Sequence, residues 1–249
     1  MVPDHFQVPP EWTVVTPGVE GWHLWYVDET GSTNADLLSA AASGAPDRTV
    51  LATGHQTAGR GRLDRRWEAP PGRNLLMSML LRNGTDRPQQ LTRRLGVAAS
   101  RACRALAGVE PTIKWPNDLL LDDRKLAGIL AQATPAGDGV VVGIGLNVGW
   151  APDGAARLGD HVRPDQLLAQ VLVAFDEVDT DVRTDVDSEY RRLLDTLGRR
   201  VRVERQGDDL VGRAVDIDVD GHLVLIDECA ISHRVDAGDV IHLRSADEA

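Results

Sequence analysis

Lys114-Trp-Pro-Asn-Asp-Leu-Leu-Leu-Asp-Asp-Arg-Lys-Leu-Ala-Gly-Ile-Leu130 is the run that decides the fold. A Trp-Pro-Asn-Asp turn feeds an apolar strand, a polar tip follows, and a second apolar segment brings the chain back as a hairpin. That geometry can bring Lys114 and Lys125 to one side of a sheet. They are the only two lysines among 27 basic side chains; elsewhere the chain uses Arg. Two lysines so close together mark positions where a compact ammonium is needed and a planar guanidinium will not do. A lone Pro-Asn turn with a satisfied Asp is usually only a turn, but the flanking lysines shift the balance toward chemistry.

Around this hairpin, strand and helix patterns alternate. Trp22–Val27 reads as a strand, Asn34–Ser43 as a helix with Ser32 or Thr33 at its N-cap, and Thr49–Thr53 as a buried strand. Gly54–Arg66 is a loop dense in Gly and Arg, and Leu75–Arg82 a strong strand closed by an Asn83-Gly84 turn. Pro88–Gly108 is helical, with Leu91, Leu95, Ala98, Ala102 and Leu106 on one stripe and Gly108 as the stop. Strand-like segments follow at Pro111–Lys114, Leu119–Leu121, Leu126–Ala133 and Val140–Val148, then two helices over Pro164–Leu197 broken near Asp179–Arg183. Beyond Gly198, short alternating runs separated by Gly/Asp turns predict a small barrel. The expectation is an α+β chain. It has a Pro-rich extended arm over 1–20, a mixed β-sheet with helices packed on one side over 21–197, and a β-barrel over 198–249.

Composition narrows the function. Hydrophobic content of 42% and charged content of 26% are ordinary globular values. No apolar run reaches the ~18–20 residues that span a bilayer, and Met1–Val19 lacks the basic-then-apolar character of a secretory signal. A cytoplasmic protein without membrane contact is expected. The net charge of −11 argues against general nucleic-acid binding, which rests on neutralising phosphates. Cys103 and Cys229 fall outside any metal-ligand spacing, and each reads as a buried, reduced thiol.

Against that acidic background, Gly54-His-Gln-Thr-Ala-Gly-Arg-Gly-Arg62, followed by Trp67, stands out. Alternating Gly and Arg expose amide N–H groups and two guanidinium forks, a combination suited to a phosphate or carboxylate that the loop closes over. Gly143-Ile-Gly-Leu-Asn147 places glycines in a buried strand, where another backbone or a flat ligand can approach closely. Gly31-Ser-Thr-Asn34, between a strand and a helix, can cap the helix or line a pocket with small hydrogen-bonding groups. Capping is the commoner role.

These four pieces, in this order, resemble biotin protein ligases, and the similarity runs from about Trp22 to the C-terminus. The resemblance implies a class II synthetase-like catalytic core with an SH3-like C-terminal barrel. It further implies an ATP- and Mg²⁺-dependent enzyme that forms biotinyl-5′-AMP and then transfers biotin to a lysine of a biotin carboxyl carrier domain of an acyl-CoA or pyruvate carboxylase. Carried over by position, Ser32, Thr33, Asn34 and Gln56 would hold biotin. Gly59, Arg60, Gly61 and Arg62 would close over carboxylate and phosphate, with Trp67 and Gly128 against the adenylate. Lys125, Arg60 and Asp118 are the expected catalytic groups, Asp118 orienting the incoming amine. Arg62, Lys114, Asn117 and Asn147 would face ATP, with Mg²⁺ near Asn117 but no fixed protein metal site.

Two departures qualify the match. Leu63 and Asp64 stand where the family loop commonly continues with a basic residue and a glycine, and Asp64 falls where a positive φ is expected. Residues 1–20 are too short for the helix-turn-helix domain of the family's repressors, so no operator binding is expected. A lipoate or octanoate ligase shares the core and the acyl-transfer logic but lacks this loop. A non-catalytic biotin or nucleotide sensor would have lost Lys125 or the loop arginines. A monomer or weak homodimer is expected.

Overall fold

The computed structural model describes residues 6–15, 18–82, 88–180, 186–204, 209–236 and 238–243. Leu75-Leu-Met-Ser-Met-Leu-Leu81 and Val140-Val-Val-Gly-Ile-Gly-Leu146 carry almost no polar side chain on either face, and such strands must be covered on both sides. They lie side by side at the centre of an eight-stranded sheet ordered β1-β2-β3-β4-β8-β7-β6-β5. Its strands are β1 (Thr13–Val14), β2 (His23–Thr30), β3 (Thr49–Gln56), β4 (Leu75–Leu81), β5 (Thr112–Lys114), β6 (Asp118–Leu121), β7 (Arg124–Ala133) and β8 (Val140–Leu146). Only β2 and β3 pair in parallel, so the sheet is mixed, as expected.

Two long helices, α2 (Pro88–Ala107) and α3 (Pro164–Thr180), cover one face. Leu91, Leu95, Ala98 and Ala102 of α2 are fully buried against Met77, Ile129, Val142 and Ile144. Gly108, at φ +67°, ends α2 in the left-handed turn that glycine adopts without strain. The expectation that helices pack on one side describes these two. It does not describe α1 (Thr33–Ala42), which lies on the opposite face with Leu37, Ala40 and Ala41 against Leu51, Leu80 and Val141. The alternate side chains of the same apolar strands need that cover. Phe6 and Trp12 are buried in this second cluster, and Thr13–Val14 adds an edge strand to β2, so the expected arm is laid down on the sheet. The Asn83-Gly84 turn, and residues 181–185 at the break between the two later helices, lie outside the described residues.

The polar tip of the deciding hairpin is Asp122-Asp123, both in the left-handed region at φ 51° and 59°. That is the backbone of a two-residue primed turn, and Asp tolerates it better than most side chains. After α4 (Val186–Leu193) come β9 (Arg200–Glu204), β10 (Leu210–Ile217), β11 (Leu223–Ile226), β12 (Ser232–Val235) and β13 (Asp239–His242). They form a five-stranded antiparallel sheet ordered β12-β11-β10-β9-β13. Its inward side chains, among them Val201, Val203, Ile217 and Leu223, share one core with Val97, Ile113, Trp115 and Tyr190 of the larger domain. Trp115, 3% exposed, sits at the seam, and its indole N–H donates to the Gly221 carbonyl at 3.0 Å.

Trp115→Ala removes this side chain from the shared core, and such truncations cost about 3–5 kcal/mol. We expect a loss of that size in denaturant unfolding at neutral pH; a change below about 1 kcal/mol would show that the seam contributes little.

Candidate functional site

The face that carries α1 is only partly covered by it, and the uncovered part is floored by glycine. Strand register sets Asp118, Gly128 and Gly145 in one row, and Leu130, Gly143 and Ser78 in the next. A Cβ on Gly143 would lie 2.0 Å from Asn34 Oδ1, and one on Gly145 would lie 2.4 Å from Trp67 Cε2. On Gly128 it would lie 3.2 Å from Trp67 Cζ3. The glycines are therefore the seats of two specific side chains, one from α1 and one from the glycine-arginine loop. Above them lies a cavity of about 360 Å³.

Lys125 reaches this face because the β6–β7 ladder is irregular. Leu119 pairs with Ala127 but Leu120 pairs with Lys125, so one extra residue is inserted in β7. A bulge of this kind re-aims a side chain. Lys125, three residues before Gly128, lies beside it, with Nζ 3.5 Å from where a Cβ on Gly128 would be. Lys125 Nζ pairs with Asp118 Oδ1 at 2.8 Å and stands 5.8 Å from the centre of the Trp67 ring.

One end of the cavity is a cluster of hydroxyls and amides. Gln56 Oε1 accepts from the Thr33 backbone N–H at 2.9 Å and from its hydroxyl at 3.1 Å, so the carboxamide is oriented with its nitrogen left to donate. Ser78 Oγ lies 2.7 Å from Thr33 Oγ1 and donates to Asn34 Oδ1 at 2.6 Å. Asn34 Nδ2 donates to the Leu130 carbonyl and to Gln132, so both ends of its amide are committed. Ser32 is the N-cap residue of α1 but makes no side-chain capping bond, and it lines the cavity.

The glycine-arginine loop folds on itself as a cover. Gly61 N–H donates to the Arg65 carbonyl at 2.7 Å, and Trp67 N–H to the Gly59 carbonyl at 3.0 Å. A Cβ on Gly59 would be 2.4 Å from the Trp67 carbonyl oxygen, which is why glycine stands at this crossing. Arg62 bridges two domains, donating to Asn117 Oδ1 and to the Gly238 carbonyl, each at 3.3 Å. Among the described residues, Arg60, Arg62, Arg65, Arg66 and Lys125 line the cavity against the two carboxylates Asp118 and Glu68, in a protein of net charge −11. The Trp67 indole nitrogen is buried without a partner among the described residues. The positive φ expected at Asp64 falls one residue earlier, on Leu63 (φ 54°), 67% exposed at the loop tip.

Of the residues singled out from sequence, Ser32, Thr33, Asn34, Gln56, Arg60, Gly61, Arg62, Trp67, Asn117, Asp118, Lys125, Gly128 and Asn147 all line this cavity. Gly59 and Lys114 do not. Gly59 is the crossing of the loop. Lys114 shares the sheet face of Asp118, its register partner, but sits one strand further out, toward His242 of the small domain. Asn147 is 2% exposed, bonded to Asn74 at 3.2 Å and to the Ala156 carbonyl at 3.0 Å, so it braces the wall. Ser78 and Trp150 also line the cavity and were not anticipated. Ser78 had a signal, as the one polar residue in a seven-residue apolar strand.

Two family models match the chain. Residues 27–148 match the biotin/lipoate A/B protein ligase family, and residues 196–243 match the biotin protein ligase C-terminal domain. The biotin–[acetyl-CoA-carboxylase] ligase of Mycobacterium tuberculosis is 41% identical over 245 residues, covering 90% of this chain and 91% of that protein. This chain belongs to the biotin protein ligase family. The bifunctional ligase/repressor BirA of Escherichia coli is 30% identical across 87% of this chain and 73% of its own length. Among solved structures, a biotin protein ligase from Aquifex aeolicus in complex with biotin and ATP has a TM-score of 0.75 at 25% identity, covering 89% of this chain and 99% of that one. For a biotin protein ligase, the small five-stranded sheet is the region matched by the C-terminal domain model, and the bulged hairpin lies inside the catalytic match.

The glycine floor makes a direct prediction. Gly145→Ala overfills the seat of Trp67 at a cost of about 1–3 kcal/mol, so the loop spends more time open. Trypsin should cut at the loop arginines about ten times faster while global unfolding changes little; an unchanged cutting rate would mean Trp67 does not hold the cover. Leu63→Gly relieves a left-handed side chain worth about 1–2 kcal/mol, offset by glycine's entropy of about 0.5–1 kcal/mol. Its thermal midpoint should match or exceed the parent's, and a clear fall would show that Leu63 is held by contacts.

Proposed function

We propose that this chain is an ATP-dependent biotin protein ligase that makes biotinyl-5′-AMP and passes biotin to a lysine of a carboxylase carrier domain. The observation that carries the reading is Lys125, paired with Asp118 at 2.8 Å on the rim of a cavity with a hydroxyl–amide end and a Gly/Arg cover. Membership of the biotin protein ligase family supports it.

The chemistry follows from the residues. Ser32, Thr33 and Gln56 offer fixed donors and acceptors to the fused ureido ring of biotin, with Asn34 bracing them from below. The acid's carboxylate oxygen attacks the α-phosphorus of ATP, and the bond to the β-phosphate oxygen breaks as pyrophosphate leaves. Lys125, Arg60 and Arg62 neutralise charge developing on the carboxylate and α-phosphate oxygens. The Trp67 ring, seated on Gly128 and Gly145, walls the part of the cavity where the adenylate would lie. A lysine amine of the carrier domain then attacks the carbonyl carbon of the mixed anhydride and AMP leaves. Asp118 is positioned to orient that amine once Lys125 turns to the phosphate. The cover excludes water, which would hydrolyse the anhydride.

Lys114 and Asn117 lie on the pyrophosphate side in this reading, and Asn147 holds the wall beside the nucleotide. Mg²⁺ would arrive on the ATP phosphates. Of the two cavity carboxylates, Asp118 is paired with Lys125 and Glu68 lies 3.9 Å from Arg66, and Asn117 Oδ1 accepts from Arg62. Among the described residues, the only cluster able to hold a cation is Asp218, Asp220 and His222 on the small domain, and Arg234 ties up both aspartates. The net charge of −11 supports a protein that does not bind DNA. No helix among the described residues is long and apolar enough to cross a membrane.

Pyrophosphate release with ATP and Mg²⁺ should require biotin, and neither lipoate nor octanoate should replace it. Label should end on the carrier lysine. Lys125→Met should lower the release rate by about 10²–10³-fold. Release with lipoate or octanoate instead of biotin would overturn the substrate assignment, and biotin binding without release would indicate a sensor.

A further inference from the structure

Small-domain residues touch the large domain at several points, and one contact reaches the Lys114–Asn117 segment through a buried hydroxyl. Thr196 is fully buried, and its Oγ1 accepts the backbone N–H of Trp115 at 3.0 Å. The same Oγ1 lies 3.1 Å from Nε2 of His242 on β13. The Trp115 amide can only donate, and among the described residues His242 Nε2 is the one acceptor within reach of the buried hydroxyl proton, so the arrangement that leaves no buried donor unmet has Nε2 accepting. That places the imidazole proton on Nδ1, facing Asp195 Oδ2 at 3.5 Å, a buried oxygen with no closer hydrogen-bond partner among the described residues. The chain of contacts runs from the C-terminal strand to the residue that follows Lys114.

We propose that His242 is a positioning residue for adenylate formation, fixing the Trp115 backbone through the Thr196 hydroxyl and thereby setting where Lys114 points. The proposal rests on the reading of Lys114 as a pyrophosphate-side cation. The rest of the segment is anchored elsewhere. Asn117 exchanges bonds with Ile129 at 2.8 and 2.9 Å, and the Trp115 indole is held by Gly221. The ladder with Asp118 holds Lys114 on its inner side, and the Trp115 amide is the restraint on its turn side, so loosening it shifts Lys114 without disturbing the hydroxyl–amide end of the cavity. His242 lines no part of that cavity, so it acts only through Thr196.

The required neutral imidazole is favoured by its surroundings. Burial foremost, then the charges of Lys114 on β5 and Arg199 before β9, hold His242 down at about 4, against the opposing pull of Asp195 and of Asp123 in the β6–β7 turn. Protonation would remove the acceptor for Thr196 and add a second cation beside Lys114.

The test is steady-state pyrophosphate release by the full chain, comparing the parent with His242→Ala, His242→Gln and Thr196→Val. Losing one buried hydrogen bond is worth about 0.5–1.5 kcal/mol, so KM for ATP should rise about three- to ten-fold in His242→Ala and Thr196→Val. KM for biotin should stay within about two-fold, and His242→Gln, whose carbonyl can accept from Thr196, should lie near the parent. In the parent, KM for ATP should also climb as pH falls toward 4, beyond any rise seen in His242→Gln, because glutamine does not titrate. Equal increases in KM for both substrates, or a lowered thermal midpoint without a KM split, would reduce His242 to a structural role and overturn the proposal. If His242→Ala does not fold, Thr196→Val and His242→Gln decide the question alone. Unchanged ATP kinetics in an active Thr196→Val would overturn the proposal and leave the ligase reading standing. An inactive parent would sink both.

Discussion

Three positions without side chains carry the site. Gly128, Gly143 and Gly145 lie on one sheet face, and a methyl group at any of them would meet Trp67 or Asn34. Asn34 therefore rests directly on the strands, with Ser78 and Gln132 bonded to it. That contact sets the depth at which the start of α1 presents Ser32 and Thr33. Trp67 rests on the other two glycines, and its position closes the loop that begins at Gly59. The floor thus fixes both the hydroxyl–amide end and the cover, although it contributes no polar group of its own. A sheet built to maximise packing would have valine at these places; here packing yields to the approach of two side chains from elsewhere in the chain.

Charge is then concentrated on a surface that the protein's overall balance would make anionic. With 38 acidic and 27 basic residues, most cations of the described structure are paired on the exterior. The loop arginines and Lys125 are instead gathered over one cavity. The inserted residue in β7 matters here, because strict alternation would point Lys125 and Gly128 to opposite faces. The bulge brings the ammonium onto the floor, within reach of Asp118. Holding the lysine against a carboxylate keeps it extended over the cavity before any phosphate arrives.

The sequence made much of this legible, and the limits have physical causes. Strand and helix periods located nearly every described element, because apolar periodicity records which side is buried. Periodicity does not say which face of a sheet a short helix chooses, so the one-sided packing describes α2 and α3 while α1 takes the other face. Its seat depends on Leu51, Leu80 and Val141, far away in sequence. Nor does periodicity bury a lone thiol: Cys229, expected inside like Cys103, is exposed in the turn that Asp227 closes. The hairpin correctly put both lysines on one face, since Lys114 and Asp118 are register partners. It could not give lateral distance, and Lys114 lies one strand beyond the cavity wall. The left-handed residue in the loop was shifted by one, from Asp64 to Leu63, because residue type biases φ only weakly against the closing bonds Gly61–Arg65 and Gly59–Trp67. Asn147 was legible as important but not as a brace, which required knowing that Asn74 and Ala156 converge on it.

The seam between the domains is where sequence is most silent, since Thr196 and His242 belong to no local pattern and meet only through the fold. Their placement bears on how a small domain can matter to a reaction it does not line. An apolar interface such as that around Trp115 supplies affinity, but it tolerates small slides. A directional bond through a buried hydroxyl does not, because losing it strands a donor that water cannot reach. Arg62, bonded to Asn117 on one side and to the Gly238 carbonyl on the other, adds a second directional tie at the edge of the cavity. With both ties made, the turn that carries Lys114 and Asn117 is held between the catalytic sheet and the small domain. The position of that turn is then a property of both domains together.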